Sequence, residues 1–234
     1  MSSLPVTPPN LGELPIALTL PDELWIKILR ELDYATLKKS SRICRKLQRF
    51  IGDKEFDQVL FRAGPSTPAC EEGKAVQLHS IIKRTDGIFA QLEEAQMLDR
   101  PSGNVEYLPK DYPTILDEFA TNPASTEINI EMEYGPVKYF APLVDSTGIT
   151  VRQFFNHLGE YWSTPASATA AEYAAKYYRR PRDPKNVCYI DVLGDHNGWT
   201  RRWGGTAQGG NRTHVVAGWI PRNFFKFASA ELSL

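Results

Sequence analysis

Leu20-Pro21-Asp22-Glu23-Leu24-Trp25-Ile26-Lys27-Ile28-Leu29-Arg30-Glu31-Leu32 opens the stretch around which the rest of the chain is organised. Proline at the entry needs no amide partner, and acids in the first turn face the positive end of the helix dipole, so Pro21, Asp22 and Glu23 mark a helix start. Leu24, Trp25, Ile28, Leu29 and Leu32 then recur at helical spacing. Asp33 and Tyr34 break the pattern, and Leu37, Ile43, Cys44, Leu47, Phe50 and Ile51 form a second apolar set among Lys38, Lys39, Arg42, Arg45, Lys46 and Arg49. This predicts two or three short helices. So small a unit buries little of its own apolar surface. Each Leu, Ile or Phe left in water forgoes roughly 1.5–3 kcal/mol of burial, which makes a wide apolar stripe a docking face. An amphipathic hairpin packed on its own domain fits the same pattern.

Outward from this stretch, residues 1–19, with Pro5, Pro8, Pro9 and Pro15, read as a flexible Pro-rich arm without a signal peptide. Phe56, Val59, Leu60 and Phe61 suggest one more helix, which closes the unit at Arg62. Gly64-Pro65-Ser66-Thr67-Pro68 is a breaker, so residues 63–73 read as a linker and residues 74–234 as a second domain.

Within that domain, Ala75 to His79 suggests a short strand, Ile81 to Met97 helical or mixed structure, and Ile115 to Ala120 a helix. Thr126 to Tyr134 alternates, with Ile128, Ile130, Met132 and Tyr134 against Glu127, Asn129, Glu131 and Glu133, which predicts a half-buried strand with Val137 to Phe140 as its neighbour. Thr150 caps the strongest helix of the domain, striped by Val151, Phe154, Phe155, Leu158, Tyr161 and Trp162. A second helix spans Ala168 to Tyr178. Val187 to Leu193, Trp199 to Trp203 and Thr213 to Ile220 read as strands, with Gly204 to Asn211 as a Gly-rich turn. The expected fold class is α+β: a small all-α unit, then an antiparallel sheet with packed helices.

Composition narrows the function classes. With 42% hydrophobic and 24% charged residues, the chain has the balance of a globular protein. The net charge of -1 hides a segregation: Lys+Arg against Asp+Glu runs 13 to 10 over residues 1–85, 4 to 14 over 86–175, and 10 to 4 over 176–234. Facing segments within one domain explain it most simply, and a basic binding surface on the last third is the alternative. Cys44, Cys70 and Cys188 are too scattered for a disulfide framework or zinc knuckle, which suggests a reducing compartment. No apolar run has membrane-span length.

For chemistry, Cys188, Asp191, Asp195, His196 and His214 are the best constellation, a thiolate or metal set in principle, although a structural cysteine and loop histidines account for them equally. His79 and His157 stand alone in the sequence. No catalytic residue, metal or cofactor is therefore expected. Trp199, Arg201, Arg202 and Trp203 are the candidate target-binding residues, suited to a peptide or to sheet-edge packing, and less to nucleic acid or a small ligand.

The order of landmarks in the opening stretch resembles the F-box: Leu20-Pro21, Ile28-Leu29 with Leu32, Ala35-Thr36-Leu37, and Ile43-Cys44-Arg45-Lys46-Leu47 fall where that motif has its Leu-Pro, its Ile-Leu and its Val-Cys-Arg/Lys. Lys38 and Leu47 depart from it, where a second apolar residue and a Trp or Phe are common. From about Phe56 onward the chain is similar to part of a set of fungal F-box proteins, on Phe56 to Arg62, Val76 to His79 and Ile149 to Phe154. The resemblance implies a cytoplasmic or nuclear adaptor without catalysis of its own. Such an adaptor binds a Skp-type subunit, and through it a cullin scaffold, and brings a target protein to a ubiquitin ligase. It implies docking through Leu20, Pro21, Leu24, Ile28, Leu29 and Leu32, supported by Leu37, Cys44 and Leu47.

Overall fold

The computed structural model describes residues 20–65, 71–85, 97–98, 105–107, 113–134, 137–178, 187–192 and 202–218. The chain divides into two compact units, Met1–Val59 and Leu60–Leu234. The division falls ahead of Phe61, whose carbonyl accepts the Phe119 amide at 2.7 Å and whose ring meets His79 edge-on at 4.8 Å.

The first unit holds three short helices: α1 (Asp22–Arg30), α2 (Tyr34–Ser40) and α3 (Arg45–Ile51). Pro21 stands at the N-cap of α1, with Asp22 and Glu23 in its first turn and Lys27 and Arg30 in its last, so both dipole ends are complemented. Asp33 caps α2 by accepting the Thr36 amide at 2.8 Å. Hydrogen bonds from the Thr36 hydroxyl and amide hold the Asp33 carboxyl below the usual carboxylate range. Leu29, Leu37, Leu47, Phe50, Ile51 and Phe56 are buried. Residues 54–56 form a 3-10 turn rather than a further α-helix.

In the second unit a six-stranded sheet runs in the order β4-β1-β7-β8-β5-β6. Its members are β1 (Ala75–Leu78), β4 (Thr121–Asn122), β5 (Glu127–Tyr134), β6 (Val137–Val144), β7 (Arg202–Ala207) and β8 (Arg212–Gly218). A separate two-stranded sheet pairs β2 (Met97–Leu98) with β3 (Val105–Tyr107). The α+β class holds, but strand direction is mixed: β5 and β8 pair in parallel, and the other neighbours are antiparallel.

The alternation of β5 works as its sequence predicts, with Ile128 and Ile130 buried and Glu127, Asn129 and Glu131 partly exposed. Val215, Trp203 and Leu78 join the buried face. Across it lies α6 (Val151–Ser163), which contributes Val151, Phe154, Phe155, Leu158 and Trp162. Thr150 starts α6 with a complete capping box, in which its hydroxyl accepts the Gln153 amide and the Gln153 side chain accepts the Thr150 amide. Ile81 and Ile82 from α4 (Ser80–Arg84) and Leu116 from α5 (Pro113–Leu116) complete the same core. Helix α5 ends sooner than its apolar pattern suggests, because Phe119 forms a bridge to Thr150 and the Glu118 carbonyl accepts the Val151 amide.

Two elements differ from their sequence reading. Val187 to Val192 is not a strand: Tyr189–Val192 forms a helical turn, α8, because the Asp191 carboxylate accepts the Cys188 amide and starts it. Val187 and Val192 pack there with Ala170 and Ala171 of α7 (Ala168–Tyr178). Gly204 to Ala207 is also not part of the turn. It continues β7, and only Gln208 to Asn211 reverse the chain, with Gly209 and Gly210 both at positive φ. A side chain at Gly205 would come within 3.1 Å of Leu78 and of the Val76 carbonyl, so glycine lets β7 lie close to β1.

Candidate docking surface

Helix α1 divides its apolar residues between two environments. Leu29 is 1% exposed, whereas Leu24 is 43% and Ile28 45% exposed. Leu24 and Ile28 are one turn apart and so lie on one face. The orientation of α1 is fixed by salt bridges from its first residue: Asp22 receives Lys46 at 2.9 Å and Arg49 at 3.3 Å, both from α3. Lys46 also donates to the Leu20 carbonyl at 3.3 Å. These are largely exposed pairs and each contributes at most about 1 kcal/mol. Their use is geometric, since they hold the Leu20-Pro21 entry beside α3.

The nine expected docking residues separate into three groups. Leu24, Ile28 and Pro21 are exposed, and Leu20, Leu32 and Cys44 are partly buried. Leu29, Leu37 and Leu47 are buried at 1%, 0% and 4%. Those three belong to the core, which corrects their assignment to the surface: a helix of this size needs them to hold its neighbours, so they support a partner surface only indirectly. One residue outside the nine is more exposed than either Leu24 or Ile28. Ile43, between α2 and α3, shows 71% of its surface.

The candidate target-binding residues of the second unit do not form one surface. Trp203 is 7% exposed and stands edge-on to Phe154 at 5.7 Å, inside the sheet–helix core. That position corrects its reading as a contact residue. Arg202 pairs with Gly218 at the end of β7, while Trp199 and Arg201 lie outside the described residues.

The constellation of cysteine, aspartates and histidines is likewise separated. Cys188 and Asp191 are bonded to each other through the α8 turn. His214, on β8, pairs with Glu131 at 2.9 Å. Asp195 and His196 lie outside the described residues. His79, solitary in the sequence, is fully buried and meets the Glu118 carboxylate at 3.1 Å. Its Nδ1 accepts the Ile81 amide and caps α4, so Nε2 carries the proton and donates to Glu118. Both groups are sealed in the interior, which suits a structural couple and gives a substrate no approach. Among the described residues no three His, Cys, Asp or Glu side chains gather in a metal-binding arrangement, and no helix is long and apolar enough to cross a membrane.

Comparison with known proteins falls on the helical unit. Residues 18–58 match the family model described as the F-box domain. No curated protein and no solved structure matches the chain.

Proposed function

We infer that this chain, an F-box protein by the domain at residues 18–58, is the Skp-binding subunit of an SCF-type ubiquitin ligase, and that its second unit selects the protein to be modified. The domain supports the first half of that reading, since F-box domains bind Skp-type subunits and F-box proteins are typically non-catalytic adaptors. The observation that carries it further is the division of α1: Leu29 holds the helix while Leu24 and Ile28 stay in solvent on one face. Two exposed branched residues a turn apart suit a helix laid against an apolar groove. The second unit supports the other half. It has a core of its own, and it leaves Ala75, Gln77, Gly204, Thr206 and Val216 exposed on the sheet face turned away from that core. Cullin contact follows through the Skp-type subunit, in the cytoplasm or nucleus.

Affinity purification of the full chain from its native cell, scored for Skp and cullin, tests this. The informative variant is Leu24→Asp with Ile28→Asp, because substitution at buried Leu29 would disturb folding as well. The expected result is loss of both partners with an unchanged circular dichroism spectrum. Undiminished recovery of Skp by the double variant would sink the adaptor reading.

A further inference from the structure

Ser163-Thr164-Pro165-Ala166-Ser167 leads from α6 to α7, and Ser163, Thr164, Pro165 and Ser167 are exposed. The chain has three Thr-Pro pairs, starting at residues 7, 67 and 164, of which the third lies among the described residues. Thr164 leaves the helix at φ -75° and ψ 152°, the extended backbone that a following proline favours. A short bridge keeps the next residues extended as well: the Thr164 carbonyl accepts the Tyr189 amide at 3.1 Å, and the Ala166 amide donates to the Val187 carbonyl at 2.8 Å. The Thr164 hydroxyl donates to the Tyr161 carbonyl at 2.7 Å. It therefore stands at the negative end of the α6 dipole, where the last turn carries no Lys or Arg.

We propose that Thr164 is a phosphorylation site for a proline-directed Ser/Thr kinase, and that its phosphate unlatches the corner where α6 meets α8. This stands apart from the Skp-binding reading, because it concerns the second unit alone. A kinase pocket that offers no acceptor to the residue after the hydroxyl selects proline, which has no amide to leave unsatisfied. Ser163 and Ser167 lack that proline. In the transfer, the Thr164 hydroxyl oxygen bonds to the γ-phosphorus of ATP, the bond from that phosphorus to the ADP oxygen breaks, and the hydroxyl proton passes to the kinase's base. The product has lost the donor to Tyr161 and sets about -1.5 to -2 charges at pH 7 against the α6 carbonyls. Both changes oppose the last turn of α6. That turn positions Tyr161, which stacks on Tyr189 at 4.7 Å, and the buried Trp162. Tyr189 begins α8, whose Val192 packs with Ala170 and Ala171 of α7, so the disturbance passes from Thr164 into the α7–α8 packing.

The test incubates the full chain with an active cyclin-dependent kinase and ATP, and maps the phosphate by mass spectrometry. Thr164 should be labelled in the folded chain, and Pro165→Ala should cut that label about tenfold or more. No label at Thr164 would overturn the site, and undiminished labelling of the Pro165→Ala chain would overturn its proline-directed recognition. Amide hydrogen exchange reads the consequence. In the phosphorylated chain the amides of Thr164, Ala166 and Tyr189 should exchange about tenfold faster, while that of Phe154, in the first turn of α6, keeps its rate. Thr164→Val removes the hydroxyl donor without adding charge and should give a smaller change. Unchanged exchange after complete phosphorylation would overturn the unlatching. An equal change in the Thr164→Val chain would overturn the part assigned to the phosphate charge.

Discussion

The two units handle the same problem, an amphipathic helix, in opposite ways. Helix α6 places Val151, Phe154, Phe155, Leu158 and Trp162 against its own sheet, while α1 buries Leu29 and leaves Leu24 and Ile28 in water. Thirteen residues lying on a sheet can complete a core, and nine residues beside two seven-residue helices cannot. The difference teaches where each unit's substitutions should be felt: in stability for the second, in binding for the first.

Substitutions can break that contrast. The largest effect should come from Phe154→Ala, which empties a fully buried site between α6 and Trp203 and should destabilise the second unit by about 3–5 kcal/mol in urea unfolding. The contrast fails if that change is small, or if Leu24→Asp with Ile28→Asp shifts unfolding by much more than about 0.5 kcal/mol, the usual bound for surface sites. Thr150→Ala removes the hydroxyl half of the α6 capping box and should cost about 1 kcal/mol, with Thr150→Ser restoring most of it.

The smallest effect should come from acid. Asp145 accepts hydrogen bonds from the hydroxyl and amide of Thr147 and from the Gln153 side chain, in that order of importance, and these hold its carboxyl below the usual carboxylate range. A carboxyl depressed on folding stabilises the native state above its unfolded pKa, and that contribution is lost as pH falls through the lower native value. Asp145→Asn should therefore lower stability slightly at neutrality, converge with the parent as pH falls below about 4, and so flatten the acid limb of the pH dependence, as read from unfolding midpoints across that range.

How much of this was legible in the sequence varies with how local each feature is. The β5 alternation and the Thr150 cap are short-range patterns, and the structure reproduces both. Val187 to Val192 is a short apolar run, and such runs do not distinguish strand from helical turn; the deciding contact was a single carboxylate, Asp191, on the Cys188 amide. The parallel pairing of β5 with β8 joins residues more than eighty positions apart, for which no local spacing rule exists. In the helical unit the F-box landmarks identified the stretch and could not say which leucines face inward. Leu29, Leu37 and Leu47 share the motif with Leu24 and Ile28, and only packing separates them. Ile43 was visible as a landmark, but its exposure depends on the turn between two helices.

The position of β8 also orders events during synthesis. Strand β5 obtains its parallel neighbour, and β1 its partner β7, only once residues 202–218 have left the ribosome. Contacts of that sequence separation are slow to form and come late, whereas the helices of residues 22–51 need only their near neighbours. The first helical unit can thus be in place while the β1–β4 pair and the β5–β6 hairpin still await β7 and β8, so the nascent chain carries one finished unit ahead of an unfinished sheet.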